Sequence, residues 1–352
     1  MNQEENQENR TVETGEEAPA GQQAEQEASK NRPGLGSWLN RGFYFGRGGV
    51  TVRRLGPGRT AWRCVAAAFI LAAVLTAGLA VFKNRFIFHP VRGLELNLAS
   101  IGPPYEAVQL EGLNGAAVFA WHVQAPPGSP AVLLLHGNGG NLEHMIGRVL
   151  LYHQLGYEVL APDYEGFGLS EGSPSEAATY ADAQAGWDWL VRRGTPPDRI
   201  LIHGFSLGGG PASWLAARQA ASRNPLVLDS TFTTLSETAA WHFPVLKPAL
   251  PLALGSAFDV RGRLAQLNSI MLLVLHSPQD EVVPFELGRA NYEAYQGGPK
   301  AFAELRGRHM DFIPNQEVYR QVLEERLGAW AGQGRRDEPQ ASGAETAPVD
   351  EP

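Results

Sequence analysis

Three side chains in this 352-residue sequence have the types and the order that nucleophilic acyl transfer needs: Ser206, Asp280 and His309. A serine hydroxyl attacks poorly near neutral pH, so an imidazole must take its proton and a carboxylate must fix the imidazole tautomer. Ser206 lies in Gly204-Phe205-Ser206-Leu207-Gly208, between a strand-like run, Arg199 to His203, and a helix-like run, Pro211 to Ala221. A G-x-S-x-G pentapeptide in that context predicts a sharp strand-to-helix turn, with glycines where side chains would strike neighbouring backbone. The pattern occurs again at Gly168-Leu169-Ser170-Glu171-Gly172. Here Ser173-Pro174-Ser175 follows, a loop composition, and a helix begins only over Glu176 to Val191 with Ser175 as its N-cap. Ser206 is therefore assigned as the nucleophile and Ser170 as a loop residue.

Asp280 follows the strand-like run Ile270 to His276, and His309 follows the run Phe302 to Leu305. If these strands are parallel, their carboxyl ends share one edge of the sheet, which brings Ser206, Asp280 and His309 together. Asp280 has a second reading as the cap of a helix entered near Pro284, and Asp229, after the strand-like run Leu226 to Leu228, is the alternative acid. Acyl transfer also needs N–H donors for the developing oxyanion. Leu207, directly after the nucleophile, supplies one. Asn138 supplies the other, from His136-Gly137-Asn138-Gly139-Gly140-Asn141 after the strand-like run Ala131 to Leu135. That glycine-rich loop could instead cradle a phosphate, but it fits neither a Walker loop nor G-x-G-x-x-G. His136 reads as a hydrogen bonder that shapes the loop.

The elements that must position these residues alternate along the chain. Strand-like apolar runs at 131–135, 157–162, 199–203, 226–228, 270–276 and 302–305 alternate with helical periodicity at 142–155, 176–191, 211–221, 285–295 and 316–330. Continuous apolar strands separated by amphipathic helices predict a mostly parallel sheet with helices on both faces, an α/β class fold. Residues 107–110 and 116–123 can supply edge strands. The stretch 231–267 breaks the alternation and carries Trp241, Phe243, Pro244, Pro248 and Pro251. It reads as a short cap or as a kinked crossover. A groove lined by Trp241 and Phe243 beside Ser206 would favour acyl chains.

Cys64 to Phe82 is uncharged and bounded by Arg63 and Lys83, and its length suits one transmembrane helix of about 20 residues. A buried core helix would show a polar face, and a cleavable signal would lie nearer the N-terminus with a shorter apolar run. Five Lys or Arg lie within twenty residues on its N-terminal side and three on its C-terminal side. This bias predicts a cytoplasmic N-terminus and an extracytoplasmic, in a bacterium periplasmic, catalytic domain. The basic run from Lys30 to Arg63 is thereby read as a membrane flank; no nucleic-acid partner is expected. The single cysteine, Cys64, excludes an internal disulfide. The expected organisation is a disordered tail over 1–60, an anchor over 61–83, the catalytic domain over 84–331 with its cap at 231–267, and a second disordered tail over 332–352.

Jointly, these residues resemble the α/β-hydrolase superfamily, in particular its membrane-anchored branch of eukaryotic depalmitoylating hydrolases and bacterial serine-aminopeptidase-like relatives. The resemblance rests on Phe88-His89-Pro90, the loop from His136 to Asn141, and Asp163-Tyr164-Glu165-Gly166-Phe167-Gly168-Leu169-Ser170-Glu171-Gly172. It continues through Gly204 to Gly209, Asp280 to Pro284 and Gly307 to His309, covering roughly residues 86 to 331. It implies an α/β-hydrolase fold, ester or thioester hydrolysis without a cofactor, and a structural role for the Ser170 loop. Two positions depart from the family pattern: Glu165 stands where arginine is common, and Arg308 precedes the histidine. The expected substrate is a small or lipid-like acyl ester. Aminopeptidase-like amide hydrolysis and a non-catalytic membrane-tethered binding module are the alternatives.

Overall fold

The computed structural model describes residues 41–46, 49–54, 56–96, 98 and 102–332. The chain divides into two units, Met1–Leu75 and Thr76–Pro352. In the first, Arg41–Gly46 and Gly49–Arg54 pair as an antiparallel hairpin, with Phe43 opposite Val52 and Phe45 opposite Val50. These residues fall within the span 1–60 expected to be a disordered tail. Phe43-Tyr44-Phe45 and Val50-Thr51-Val52 are strand-forming runs in a glycine-rich sequence, a hairpin pattern that overall composition hides. The rest of that tail up to residue 40, and the C-terminal tail after residue 332, lie outside the described residues.

Helix α1, Pro57–Ile87, is longer than the anchor expected over 61–83. At about 1.5 Å per residue it extends for roughly 45 Å, more than the ~30 Å hydrocarbon thickness. None of its most apolar stretch is buried, so it has the length and composition to cross a membrane and is not a core helix.

In the second unit, eight strands form one sheet: β1 (Glu106–Glu111), β2 (Ala117–Val123), β3 (Ala131–Leu135), β4 (Glu158–Pro162), β5 (Ile200–Phe205), β6 (Leu226–Asp229), β7 (Leu272–His276) and β8 (Lys300–Glu304). Their spatial order is β1-β2-β4-β3-β5-β6-β7-β8. Only β2 runs against the others; from β4 to β8 every pairing is parallel. The period of two explains why both faces are covered. Along β3, Leu133 and Leu135 join a core with Trp187 and Leu190 of α3 (Glu176–Arg192). Val132 and Leu134 join an opposite core with Val149 and Tyr152 of α2 (Ile146–Gln154). Strands buried on both faces need the unbroken apolar runs seen in the sequence.

Helix α4 (Gly209–Arg218) follows β5, and α8 (Phe285–Ala294) and α9 (Gln316–Ala331) flank β8. Ser175 caps α3 as expected, its Oγ accepting from the Ala178 amide at 3.1 Å. Between β6 and β7 the chain makes three short helices, α5 (Leu235–His242), α6 (Leu250–Leu254) and α7 (Val260–Leu264). Thr234 and Glu237 have capping-box spacing at the start of α5, with Thr234 Oγ1 accepting from the Glu237 amide. Pro244, two residues beyond α5, cannot extend it. Leu250, Ala253 and Leu254 form a small satellite core that also takes in Leu79 of α1.

Candidate active site

Ser206 sits where β5 turns into α4, with φ at +53°. A non-glycine residue in this region is strained and persists only where the surroundings enforce it. They do so here because the turn is crowded by backbone. A Cβ on Gly204 would collide with the Gly208 carbonyl, and one on Gly208 with the Leu135 carbonyl. The pentapeptide's glycines are therefore required by close approach of the chain to itself.

Ser206 Oγ lies 3.0 Å from His309 Nε2, and His309 Nδ1 lies 2.7 Å from Asp280 Oδ2. The three residues come from the ends of β5, β7 and β8. The other oxygen of Asp280 accepts the amides of Val282 and Val283 at 2.9 and 2.8 Å. His276, the last residue of β7, also approaches Asp280, at 3.4 Å, while donating from Nε2 to the Val283 carbonyl at 2.9 Å. Burial pushes the Asp280 carboxyl up, but the hydrogen bonds from His276 and His309, the His309 charge and the Val283 amide together hold it well below the usual range. Asp280 thus stays ionised and selects the His309 tautomer with its proton on Nδ1, leaving Nε2 free to accept. The Glu281 carboxylate accepts the His309 amide at 3.1 Å and pairs with Arg308, also at 3.1 Å.

A cavity of about 240 Å³ opens on Ser206 and His309 and is lined also by Asn138, Phe205, His89 and His144. Leu207, next to Ser206 in the chain, is buried. Beneath the 136–141 loop, His136 accepts the Tyr164 amide at Nε2 and donates from Nδ1 to the Gly137 carbonyl, at 3.1 and 2.8 Å. Burial pushes His136 down to about 3 and its neighbour Asp163 up to about 8, so both are neutral near pH 7. His136 thereby holds the loop and carries no charge into the site.

Ser170 is far from this chemistry in function. Its Oγ donates to the Asp163 carbonyl and accepts the Phe119 amide at 2.7 and 2.8 Å, which ties its loop to β2. Asp229 sits at the end of β6, but its carboxylate is taken by Arg148 Nε at 2.8 Å and lies 3.3 Å from His203. Arg148 stacks over Phe205 at 4.1 Å, and Phe205 in turn lies against His309 at 5.1 Å. Sequence reasoning missed Arg148, although a charge between Met145, Val149 and Tyr152 on the apolar face of α2 was a visible anomaly. It also missed His276, His89 and His144. Glu165 accepts the Leu113 amide at 2.6 Å. The departure from arginine there serves the β1–β2 turn.

The fold accords with comparisons to known proteins. A family model described as alpha/beta hydrolase fold matches residues 130–282. An uncharacterised protein of Mycobacterium tuberculosis is 32% identical over 244 residues, spanning 67% of this chain and 85% of that protein. The chain belongs to the α/β-hydrolase family. This hydrolase is also 36% identical over 200 residues to a lysophosphatidylserine lipase of Danio rerio, across 53% of the chain and 51% of the lipase. It therefore spans about half the length of that relative. Among solved structures, an esterase of Pyrococcus furiosus superposes with a TM-score of 0.57 at 21% identity, covering 70% of the hydrolase and 98% of the esterase. That likeness is one of fold.

Proposed function

We propose that this α/β hydrolase is a membrane-anchored serine esterase or thioesterase of the branch its motifs resemble. The observation that carries the reading is the hydrogen-bonded series from Ser206 through His309 to Asp280. Ser206 Oγ attacks the substrate carbonyl as His309 Nε2 takes its proton, and the oxyanion forms against the amides of Leu207 and Asn138. Collapse of that intermediate expels the alcohol or thiol, which receives the proton from His309. Water, activated by the same histidine, then releases the acid and restores Ser206. Asp280 holds the imidazole and stabilises its transient charge. No cofactor enters the scheme.

An ester or thioester is favoured over the amino-terminal amide of a peptide because none of the residues lining the catalytic cavity is acidic. A free α-ammonium group would have no counter-charge there. The likeness to a lysophosphatidylserine lipase supports a lipid-like ester. Helix α1 is the anchor in this reading, and the excess of basic residues before it supports an extracytoplasmic catalytic domain.

One experiment tests nucleophile and sidedness together. A membrane-impermeant fluorophosphonate should label the wild-type chain in right-side-out membrane vesicles without detergent, and should not label Ser206→Ala. Labelling only after the vesicles are opened would reverse the orientation. Equal labelling of both chains, or of neither in detergent, would remove Ser206 as nucleophile.

A further inference from the structure

A second cavity, of about 350 Å³, lies beside the catalytic one. One wall is the last turns of α1, with Leu79, Phe86 and Ile87, and the other is the cap, with Ala239, Phe243 and Leu250. Trp241 is absent from its lining, so of the two aromatics expected at such a groove only Phe243 is there. Lys83 and Asn138 are its only polar lining residues.

Asn138 lines both cavities. Its side-chain amide donates to the Ile87 carbonyl at 3.0 Å, and its own carbonyl accepts the His89 amide at 2.8 Å. The Val91 amide donates to the Gly140 carbonyl at 2.8 Å. The loop proposed to bind the oxyanion is therefore fastened to the end of the membrane helix, and the apolar cavity meets the catalytic cavity at Asn138. In the cap, Val245 and Leu252 are 90% and 79% exposed, and Trp241 is exposed as well. Large apolar groups held in the open beside a membrane-spanning helix fit a lipid surface.

We infer that this groove takes the acyl chain of a bilayer-derived, single-chain acyl ester, and that the anchor helix itself forms part of the substrate site. The inference rests on the ester hydrolase reading above. A cavity of about 350 Å³ is near the lower end of ligand sites, which run from about 300 to 1,000 Å³, so it admits one chain and not two. The chain lies between Leu79 and Phe86 on one side and Ala239 and Phe243 on the other. The ester carbonyl reaches Ser206 past Asn138, and the polar leaving group occupies the cavity bordered by His89 and His144. Leu79 and Ala239 then set chain-length preference, and their helices must stay in register for long substrates to be cleaved.

The test uses the full-length chain in detergent with p-nitrophenyl butyrate and p-nitrophenyl decanoate. Wild type should have the higher kcat/KM for decanoate. Ala239→Phe narrows the groove from the cap and Leu79→Phe narrows it from α1. Each methylene excluded should cost roughly fourfold in kcat/KM, so each variant should lower the decanoate-to-butyrate ratio at least about tenfold. Labelling by a small fluorophosphonate reports that each variant is folded. A variant that loses labelling is replaced by Ala239→Val, which narrows the groove less and must still lower the ratio, or by Leu79→Ala, which enlarges it from α1 and must raise the ratio. An unchanged ratio in labelled variants overturns the groove, and a shift with Ala239→Phe but not Leu79→Phe overturns the part assigned to the membrane helix. Wild type that hydrolyses neither ester and takes no label contradicts the nucleophile instead.

Discussion

Asp280→Asn is expected to lower kcat for p-nitrophenyl butyrate by about 10⁴-fold, the size of effect seen when a triad carboxylate becomes an amide. The loss comes from the tautomer. The asparagine oxygen can keep the Val282 and Val283 amides that Asp280 now accepts at 2.9 and 2.8 Å, which turns its amide nitrogen toward His309. A donor at that position forces the His309 proton from Nδ1 to Nε2, and Nε2 can then no longer accept from Ser206 at 3.0 Å. The fold should survive, because the loop keeps its bonds from the Val282 and Val283 amides. Asp229→Asn is the companion measurement. Asp229 has no bond to His309, so after correction for the folded fraction its kcat should fall far less. Steady-state rates for both variants, with thermal unfolding to count folded protein, decide the matter. A drop of less than about tenfold in Asp280→Asn together with a larger one in Asp229→Asn would transfer the acid's role to Asp229.

How far the sequence foretold this arrangement can be followed residue by residue. Ser206 was separable from Ser170 because a nucleophile turn must lead straight into a helix, and only one of the two pentapeptides does so. Asp280 and His309 were legible because parallel strands end at a common edge, so the residue just past a strand is placed by topology alone. His276 was not legible as a partner of Asp280. It ends a strand as its apolar neighbours do, and its hydrogen bond to the Val283 carbonyl depends on how the following loop folds back. The contact of Leu79 with Leu250 and Leu254 joins segments far apart in the chain. Periodicity locates elements but does not say which distant apolar faces meet. The hairpin at Arg41–Gly46 and Gly49–Arg54 was hidden by reading composition over a window that also held the glutamate-rich first thirty residues.

Arg148→Met should have the largest effect on stability, a loss of about 3–5 kcal/mol, the usual cost of removing one partner of a buried ion pair. Arg148 and Asp229 are both buried, 2.7 Å apart at their closest, and the guanidinium also donates to Tyr319 Oη at 3.2 Å. Burial pushes the Asp229 carboxyl up, but the Arg148 charge, with help from His203, outweighs it and holds the carboxyl well below the usual range. In the wild type this pair's contribution is therefore present above the unfolded-state pKa of about 3.9 and lost as pH falls through the lower folded value. Without Arg148 the burial effect dominates, the folded pKa moves above the unfolded one, and the sign reverses. The Arg148→Met chain should become more stable on mild acidification below neutral pH, where wild type does not, because Asp229 can then be buried as the neutral acid. Thermal unfolding between pH 5 and 8 reads this directly. Arg148→Met with Asp229→Asn should regain part of the lost stability and lose the inverted pH dependence, since no charge is then left unpaired. Parallel pH curves for Arg148→Met and wild type would show that Arg148 does not hold the Asp229 charge. The same substitution removes the cation stacked over Phe205, which also lies against His309. Activity should therefore decline together with stability, by loosening the shelf on which the His309 imidazole rests.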